Sequence, residues 1–403
     1  MNDNIFKNRT FVLLFIASLF AVIGFSMFLT TTTWYVIRTL DMNGALGMIL
    51  IAITVPRLVM MTYGGVVADK YKKTTIMFCT NLMQALLLLV LTLLLFNDAL
   101  TVVWLLVIGG LFGMLDAFFG PASTSMIPKI IEKSKLQKAN AYFQGVDQIS
   151  FIIGPALAGI IMEVSSVTTS FFVAFILVGL SAIFVFPPLI KEAAVEKTDS
   201  QTPLQNLKEG FSYVKASKFL VVGILVLITM NFFVFGTLQI GMPLIVDLLG
   251  GTPINLSYME VSLSTGMIAG TLILGKFYIR RKGQVTLYGL IAALSFYFFF
   301  GFLDNLILLA ALLFFVGFAI SFVFVPFFAA AQEITENRMM GRVMSLIFLA
   351  MNGFDPIAYA IVSILTSIGV SIQFVIVIFA IIGIMITIVL FFKAKDYRMQ
   401  TTE

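Results

Sequence analysis

Histidine is absent from all 403 residues, and cysteine occurs once, at Cys79. The first absence removes imidazole acid–base chemistry, zinc–histidine sites and histidine proton relays. The second removes intrachain disulfides and cysteine-rich metal sites. Charge is scarce too: Asp, Glu, Lys and Arg make up 11% of the chain, against about a quarter in soluble domains. No metal or other cofactor is expected, and any proton chemistry falls to carboxylates. A Gly-x4-Gly-Lys-Ser/Thr loop is missing, so nothing supports direct drive by ATP. There is no His-Glu-x-x-His motif, and Gly-Phe-Asp around Asp355 does not match a Gly-x-Gly-Asp protease site. The chain is expected not to be an enzyme.

What the chain has is apolar surface. Hydrophobic residues make up 60% of it, more than a soluble fold can cover, so lipid is the solvent. A bilayer-crossing helix needs about 20 mostly apolar residues. That measure predicts an all-α membrane protein with twelve spans, at 10–36, 44–68, 74–96, 100–122, 139–163, 168–190, 218–241, 256–279, 284–302, 305–329, 342–366 and 370–392. With the N-terminus inside, all of the 25 Lys and Arg residues except Arg38 and Arg57 fall in cytoplasmic segments. The positive-inside pattern therefore predicts both termini in the cytoplasm of a bacterial cell membrane. The formal charge of +5 is thus topological and calls for no nucleic acid. The first span lacks a small-residue cleavage site and is read as retained.

The most polar stretch, "KEAAVEKTDSQTPLQNLKEGFSYVKAS" at 191–217, divides the chain into a six-span half at 1–190 and another at 218–403. Leu204, Leu207, Phe211 and Val214 recur at helical spacing, which predicts an amphipathic helix within the linker. The halves echo each other. "GVVADKYKK" after the second span returns as "GKFYIRRKG" after the eighth, "FFGPAST" parallels "FVPFFAA", and Pro155 and Pro356 fall at similar depths. Two parallel six-helix repeats around a central site form a transporter architecture.

These residues resemble the major facilitator superfamily along essentially the whole chain. "GGVVADKYKK" is similar to its signature between the second and third spans: Gly65 and Asp69 match, Lys70 and Lys73 replace arginines, and Lys72 replaces a glycine. The resemblance implies a gating loop in which Asp69 engages the start of the eleventh span; the bland reading of the lysines is topological anchoring. "FFGPASTSMIPKIIEKSKLQKANAYFQGVDQISFIIGPALAG" and "GGTPINLSYMEVSLSTGMIAGTLILG" resemble the branch of macrolide-efflux proteins and enterobactin-type exporters. Gly154, Pro155 and Gly159 partly fit the antiporter motif of drug exporters, with Ser150 and Ala158 where it has glycines. A packing kink is the alternative. Phe112 stands where many members carry an arginine, with Asp116 one turn away.

One cation lies deep in the apolar sequence. Arg57 is about 18 Å from either end of its span at 1.5 Å per residue. There an arginine costs roughly 2.5–3.5 kcal/mol on insertion scales, so it should face the bundle interior. It answers either to an internal carboxylate, Asp355 being the one at similar depth, or to an anionic group of the cargo. Asp116, Asp147, Asp355 and Glu260 complete the candidate substrate and coupling set. Asp116 and Asp147 lie at one level and can share a proton, because adjacent carboxylates do not both ionise readily in low dielectric. Glu260 lies near the outer rim. The 42 Phe and 21 Met residues can line an adaptable pocket or simply pack and face lipid.

The expected function is secondary active transport: a proton-coupled exporter of amphiphilic or lipophilic compounds such as macrolides and other drugs, relevant to multidrug resistance. The alternatives are export of an endogenous anion such as a siderophore, or lysophospholipid transport. The expected partners are a small-molecule substrate, protons and the lipid bilayer, with the chain acting as a monomer.

Overall fold

The computed structural model describes residues 5–40, 42–132, 135–190, 192, 203–277, 279–336 and 338–400. The side chains of 43, 65, 66, 68–70, 137, 141, 203, 204 and 206 lie outside that description. Every described element is helical, and the chain divides into two compact units.

The first unit takes residues 1–39 and 49–201. Its helices are α1 (Arg9–Arg38), α2 (Asn43–Lys70, from residue 49), α3 (Lys73–Phe96), α4 (Val102–Ile130), α5 (Leu136–Val164) and α6 (Val167–Phe184). Polar side chains start and join these apolar rods. Asn8 caps α1 by accepting from the Phe11 N–H at 3.2 Å, and its amide donates to Ile130 O at the end of α4 at 2.7 Å. Asn81 of α3 donates to Ser181 Oγ of α6 at 2.7 Å, and Ser181 donates to Ala17 O of α1 at 2.7 Å. Around Asn8, a core of Phe11, Leu14, Met126, Ile127 and Phe143 closes one end.

The second unit takes residues 40–48 and 202–403. It contains α7 (Pro203–Ala216), α8 (Lys218–Met230), α9 (Gly236–Leu248), α10 (Pro253–Leu274), α11 (Lys282–Phe300), α12 (Leu306–Ile334), α13 (Met340–Asn352), α14 (Asp355–Ser367), α15 (Ile372–Lys393) and α16 (Lys395–Met399). The amphipathic α7 rests on the start of α13. A Cβ on Gly210 would lie 3.0 Å from Arg342 O, and Glu209 ion-pairs with Arg342. Tyr213 Oη accepts from the Glu336 N–H at 3.2 Å and donates to Ile334 O at 3.4 Å. Val214 is buried, whereas Phe211 is 60% exposed.

Among the described residues, eleven helical stretches are long and apolar enough to cross a membrane. The twelfth expected span, 256–279, forms as α10, where Asn255, Ser257, Glu260, Ser262 and Ser264 dilute the hydropathy. Two spans differ from a simple rod. In the seventh, a π-helical stretch at Asn231–Phe235 separates α8 from α9. In the eleventh, the expected continuous helix at 342–366 is interrupted at Gly353 and Phe354, and Asp355 opens the second piece. Glycine before a Phe-Asp-Pro sequence accounts for the break, since Pro356 brings no N–H and is well placed only in a first turn.

Candidate functional site

The site begins with a seam of glycines. α4 reads Gly109-Gly110-x-x-Gly113 on the face it turns to α2. A Cβ on Gly113 would lie 2.0 Å from Ile53 O, and one on Gly109 would lie 2.9 Å from Ile53 Cγ1. On the opposite strand of the seam, a Cβ on Gly64 would lie 3.0 Å from Ala117 O. Small residues let two helices approach backbone to backbone in lipid. One turn beyond Ile53 comes Arg57, and three residues beyond Gly113 comes Asp116.

The two charges therefore meet. Arg57 Nε lies 2.9 Å from Asp116 Oδ2, with the side chains 41% and 20% exposed. The carboxylate is off the N–H axis, so this is an ion contact rather than an aligned hydrogen bond. Gln84 of α3 stands beside the same carboxylate and donates to Phe112 O at 3.3 Å. The Arg57 guanidinium also stands over the Phe25 ring, 5.1 Å from its centroid. Phe25 stacks on Phe112, and Phe112 on Phe28 at 4.5 Å, giving the cation an aromatic floor. Asp147 of α5 is exposed and near enough to Asp116 for their charges to repel. Fully ionised, these two carboxylates and one guanidinium carry one net negative charge.

Arg57 thus pairs with Asp116, a carboxylate of its own unit. The first unit brings together Arg57, Asp116 and Asp147. Asp355, 9% exposed, and half-buried Glu260 belong to the second unit. Gly154, Pro155 and Gly159 are buried in α5, and a Cβ on Gly154 would lie 2.6 Å from Ser26 Cβ of α1. Ser150 and Ala158, the departures from the motif, are also fully buried.

Of the expected gating loop, Gly65, Asp69 and Lys70 end α2, and their side chains lie outside the described residues. Lys73 is only 3% exposed rather than a solvated anchor. Glu192, from the linker, accepts from the Lys73 and Thr74 N–H groups, both at 3.0 Å, and from Thr74 Oγ1 at 2.9 Å. An acidic group at a helix N-terminus meets its free N–H groups and its dipole. Sequence reasoning missed Glu192 and Gln84. For Gln84 the signal was there, a lone amide in the apolar run "NLMQALLLLV".

The model of the Major Facilitator Superfamily matches residues 14–354. The chain belongs to the major facilitator superfamily. Over 308 residues it is 26% identical to macrolide efflux protein A of Enterococcus faecalis, a match covering 73% of this chain and 92% of that protein. The staphyloferrin A transporter of Staphylococcus aureus is 24% identical over 199 residues, 49% of this chain and 50% of that one. Among solved structures, the nucleoside transporter NupG aligns with a TM-score of 0.71 at 16% identity, over 98% of this chain and 100% of that one, a likeness of fold. This superfamily member is a transporter and not an enzyme, built into the bacterial cell membrane by multiple passes and acting on a small molecule.

Proposed function

We propose that this transporter is a proton-coupled exporter of amphiphilic or lipophilic compounds, macrolides among them, working as an antiporter by alternating access. In this reading 1–190 and 218–403 are the moving bundles, 191–217 joins them, and both termini are cytoplasmic. The observation that carries it is the pairing of Arg57 with Asp116 beside a second carboxylate. Asp116 compensates the cation, so Asp147 is the group left to take and release a proton. The similarity to macrolide efflux protein A supports export of such cargo. Asp355, at a helix start, is a second coupling candidate. Gly154 packs α5 against Ser26 of α1, and with Pro155 and Gly159 would serve antiport by shaping α5; Gly65, Asp69, Lys70 and Lys73 would gate.

The test is efflux from inside-out vesicles or proteoliposomes under an imposed pH gradient. Asp147→Asn is expected to bind macrolide but to lose at least tenfold of the gradient-driven rate. Full proton-driven efflux in that variant removes Asp147 from the coupling scheme, and the same result with Asp355→Asn removes Asp355.

One observation favours an anionic cargo instead. Arg57 meets Asp116 through Nε, and its terminal nitrogens have no hydrogen-bond partner among the described residues. A guanidinium edge of that kind suits a carboxylate, and the staphyloferrin A transporter is a relative. Thermal stabilisation by anionic siderophores that vanishes in Arg57→Ala would favour this second reading. Stabilisation by macrolides in both proteins would favour the first.

A further inference from the structure

The segment between α10 and α11 leaves three cations uncompensated. Lys282, which opens α11, is 7% exposed and ion-paired with Glu333 of α12. Lys276, Arg280 and Arg281 are exposed, and none has an ion-pair partner among the described residues. Between them Phe277 is 68% exposed, and in the last turn of α10 Leu272 and Ile273 are 65% and 42% exposed. Along the chain, bare aliphatic side chains give way to a lysine and an aromatic ring and then to two arginines. That order matches acyl chains, the membrane interface and headgroups.

The C-terminal helix brings a fourth cation to this corner. A Cβ on Gly283 would lie 2.1 Å from Tyr397 O, so α16 lies directly against the first turn of α11. Thr286 Oγ1 donates to Gly283 O at 2.8 Å, which leaves the Tyr397 hydroxyl as donor in its 2.6 Å contact with Thr286. Tyr397 is buried and its ring lies 4.6 Å from that of Phe219. The next residue, Arg398, is held with its guanidinium over Phe391 at 4.2 Å, and its buried Nε has no hydrogen-bond partner. Phe392, beside Phe391, is 73% exposed. Asp396 is engaged elsewhere, 3.2 Å from Lys218 Nζ.

We infer that this corner of the second unit is a seat for the headgroup of an anionic phospholipid, with Arg280, Arg281 and Arg398 taking its phosphate. Arginine forks match phosphate oxygens in pairs. Lys276 forms the rim, and Phe277 and Phe392 reach the interface between headgroup and acyl chain. The exposed apolar residues beside the cations are what select a lipid over a dissolved anion. A basic residue near an anionic leaflet contributes about 1 kcal/mol, or about a fivefold gain in binding.

The experiment is native mass spectrometry of the full-length protein in detergent, titrated with dioleoyl phosphatidylglycerol or dioleoyl phosphatidylcholine. Phosphatidylglycerol is expected to bind preferentially. Each of Arg280→Gln, Arg281→Gln and Arg398→Gln should weaken it about fivefold, and the triple variant about a hundredfold. The three arginine-to-lysine changes should retain only part of the preference, since lysine keeps the charge and loses the fork, whereas Lys7→Gln/Arg9→Gln in the first unit should leave it intact. An undiminished preference in the triple variant overturns the seat. Should that variant not fold, Arg280→Gln, in an exposed segment, decides alone. Displacement of phosphatidylglycerol by millimolar inorganic phosphate would also overturn the inference, because it would mark a site for free anions.

Discussion

Arg57 and Asp116 ride on α2 and α4, helices of 28 and 29 residues that pass through internal prolines without interruption. In the second unit, Asp355 opens a helix of 13 residues after a break, and five π-helical residues part α8 from α9. The first unit meets the cost of intramembrane polarity with side chains. A glycine seam brings opposite charges together, and Gln84 and Phe25 take up the remainder. The second unit meets it with backbone. Its π-helical stretch opens the carbonyl ladder, and Asn231 Nδ2 turns back on Leu227 O at 3.0 Å. A Cβ on Gly236, at the exit, would lie 2.5 Å from Ala358 Cβ, so the two interrupted spans of this unit pack together. π-helical stretches and discontinuous helices recur at functional sites and in transporters. Paired charge on rigid helices suits a site that titrates; interrupted helices suit an element that bends.

The sharpest way to break this contrast is to remove one charge. Arg57→Ala leaves Asp116 uncompensated and should cost about 3 kcal/mol, the low end for a broken buried pair because Arg57 is partly exposed. Arg57→Ala/Asp116→Ala should recover more than half of the loss in thermal unfolding. Additive losses would show that the two residues are not coupled. Next come the close approaches. Gly113→Val drives a side chain into a backbone carbonyl between two long helices and should cost about 3 kcal/mol, whereas Gly236→Val meets Ala358 on the short α14, which can shift, and should cost about 1–2 kcal/mol. Equal melting temperatures for these variants would erase the distinction between a rigid seam and a yielding one.

Smaller still, Asn231→Leu removes the bond to Leu227 O and should cost about 1 kcal/mol. A gain in stability would mean that the π-helical stretch reverts readily to α-helix. The smallest effect belongs to Tyr397→Phe, about 0.5 kcal/mol, because Thr286 keeps its bond to Gly283 O. Burial pushes the Tyr397 phenol above its ordinary value of 10.0. Its contribution is thus fully present below pH 10 and declines as the pH rises further. Melting curves of the wild type should show that alkaline loss, and those of Tyr397→Phe should show less of it.

Hydropathy located the spans because lipid imposes a length, and that constraint acts on composition alone. It could not see the π-helical stretch, which depends on how one turn closes and not on how apolar it is. The break in the eleventh span was more legible, since "NGFDP" holds Gly353 and Pro356 in a row of helix-ending signals. Counting twenty apolar residues passes over them. Arg57 announced that it needed a partner, yet its depth left Asp355 and the cargo equally open. The choice of Asp116 is set by the spacing of Gly109, Gly110 and Gly113, a packing code that charge counting does not read. Lys73 carried the opposite lesson. A lysine in a basic cluster reads as solvated, and only the fold shows Glu192 reaching the start of α3.

The docking of α7 bears on how the molecule can be cut. A half-protein begun at Lys218 would strip Arg342 of Glu209 and leave Ile334 O and the Glu336 N–H without Tyr213. A half begun at Pro203 would carry its own ligature for those groups. Expression of the second half as a separate polypeptide should therefore start ahead of α7, in the interval between Glu192 and Pro203.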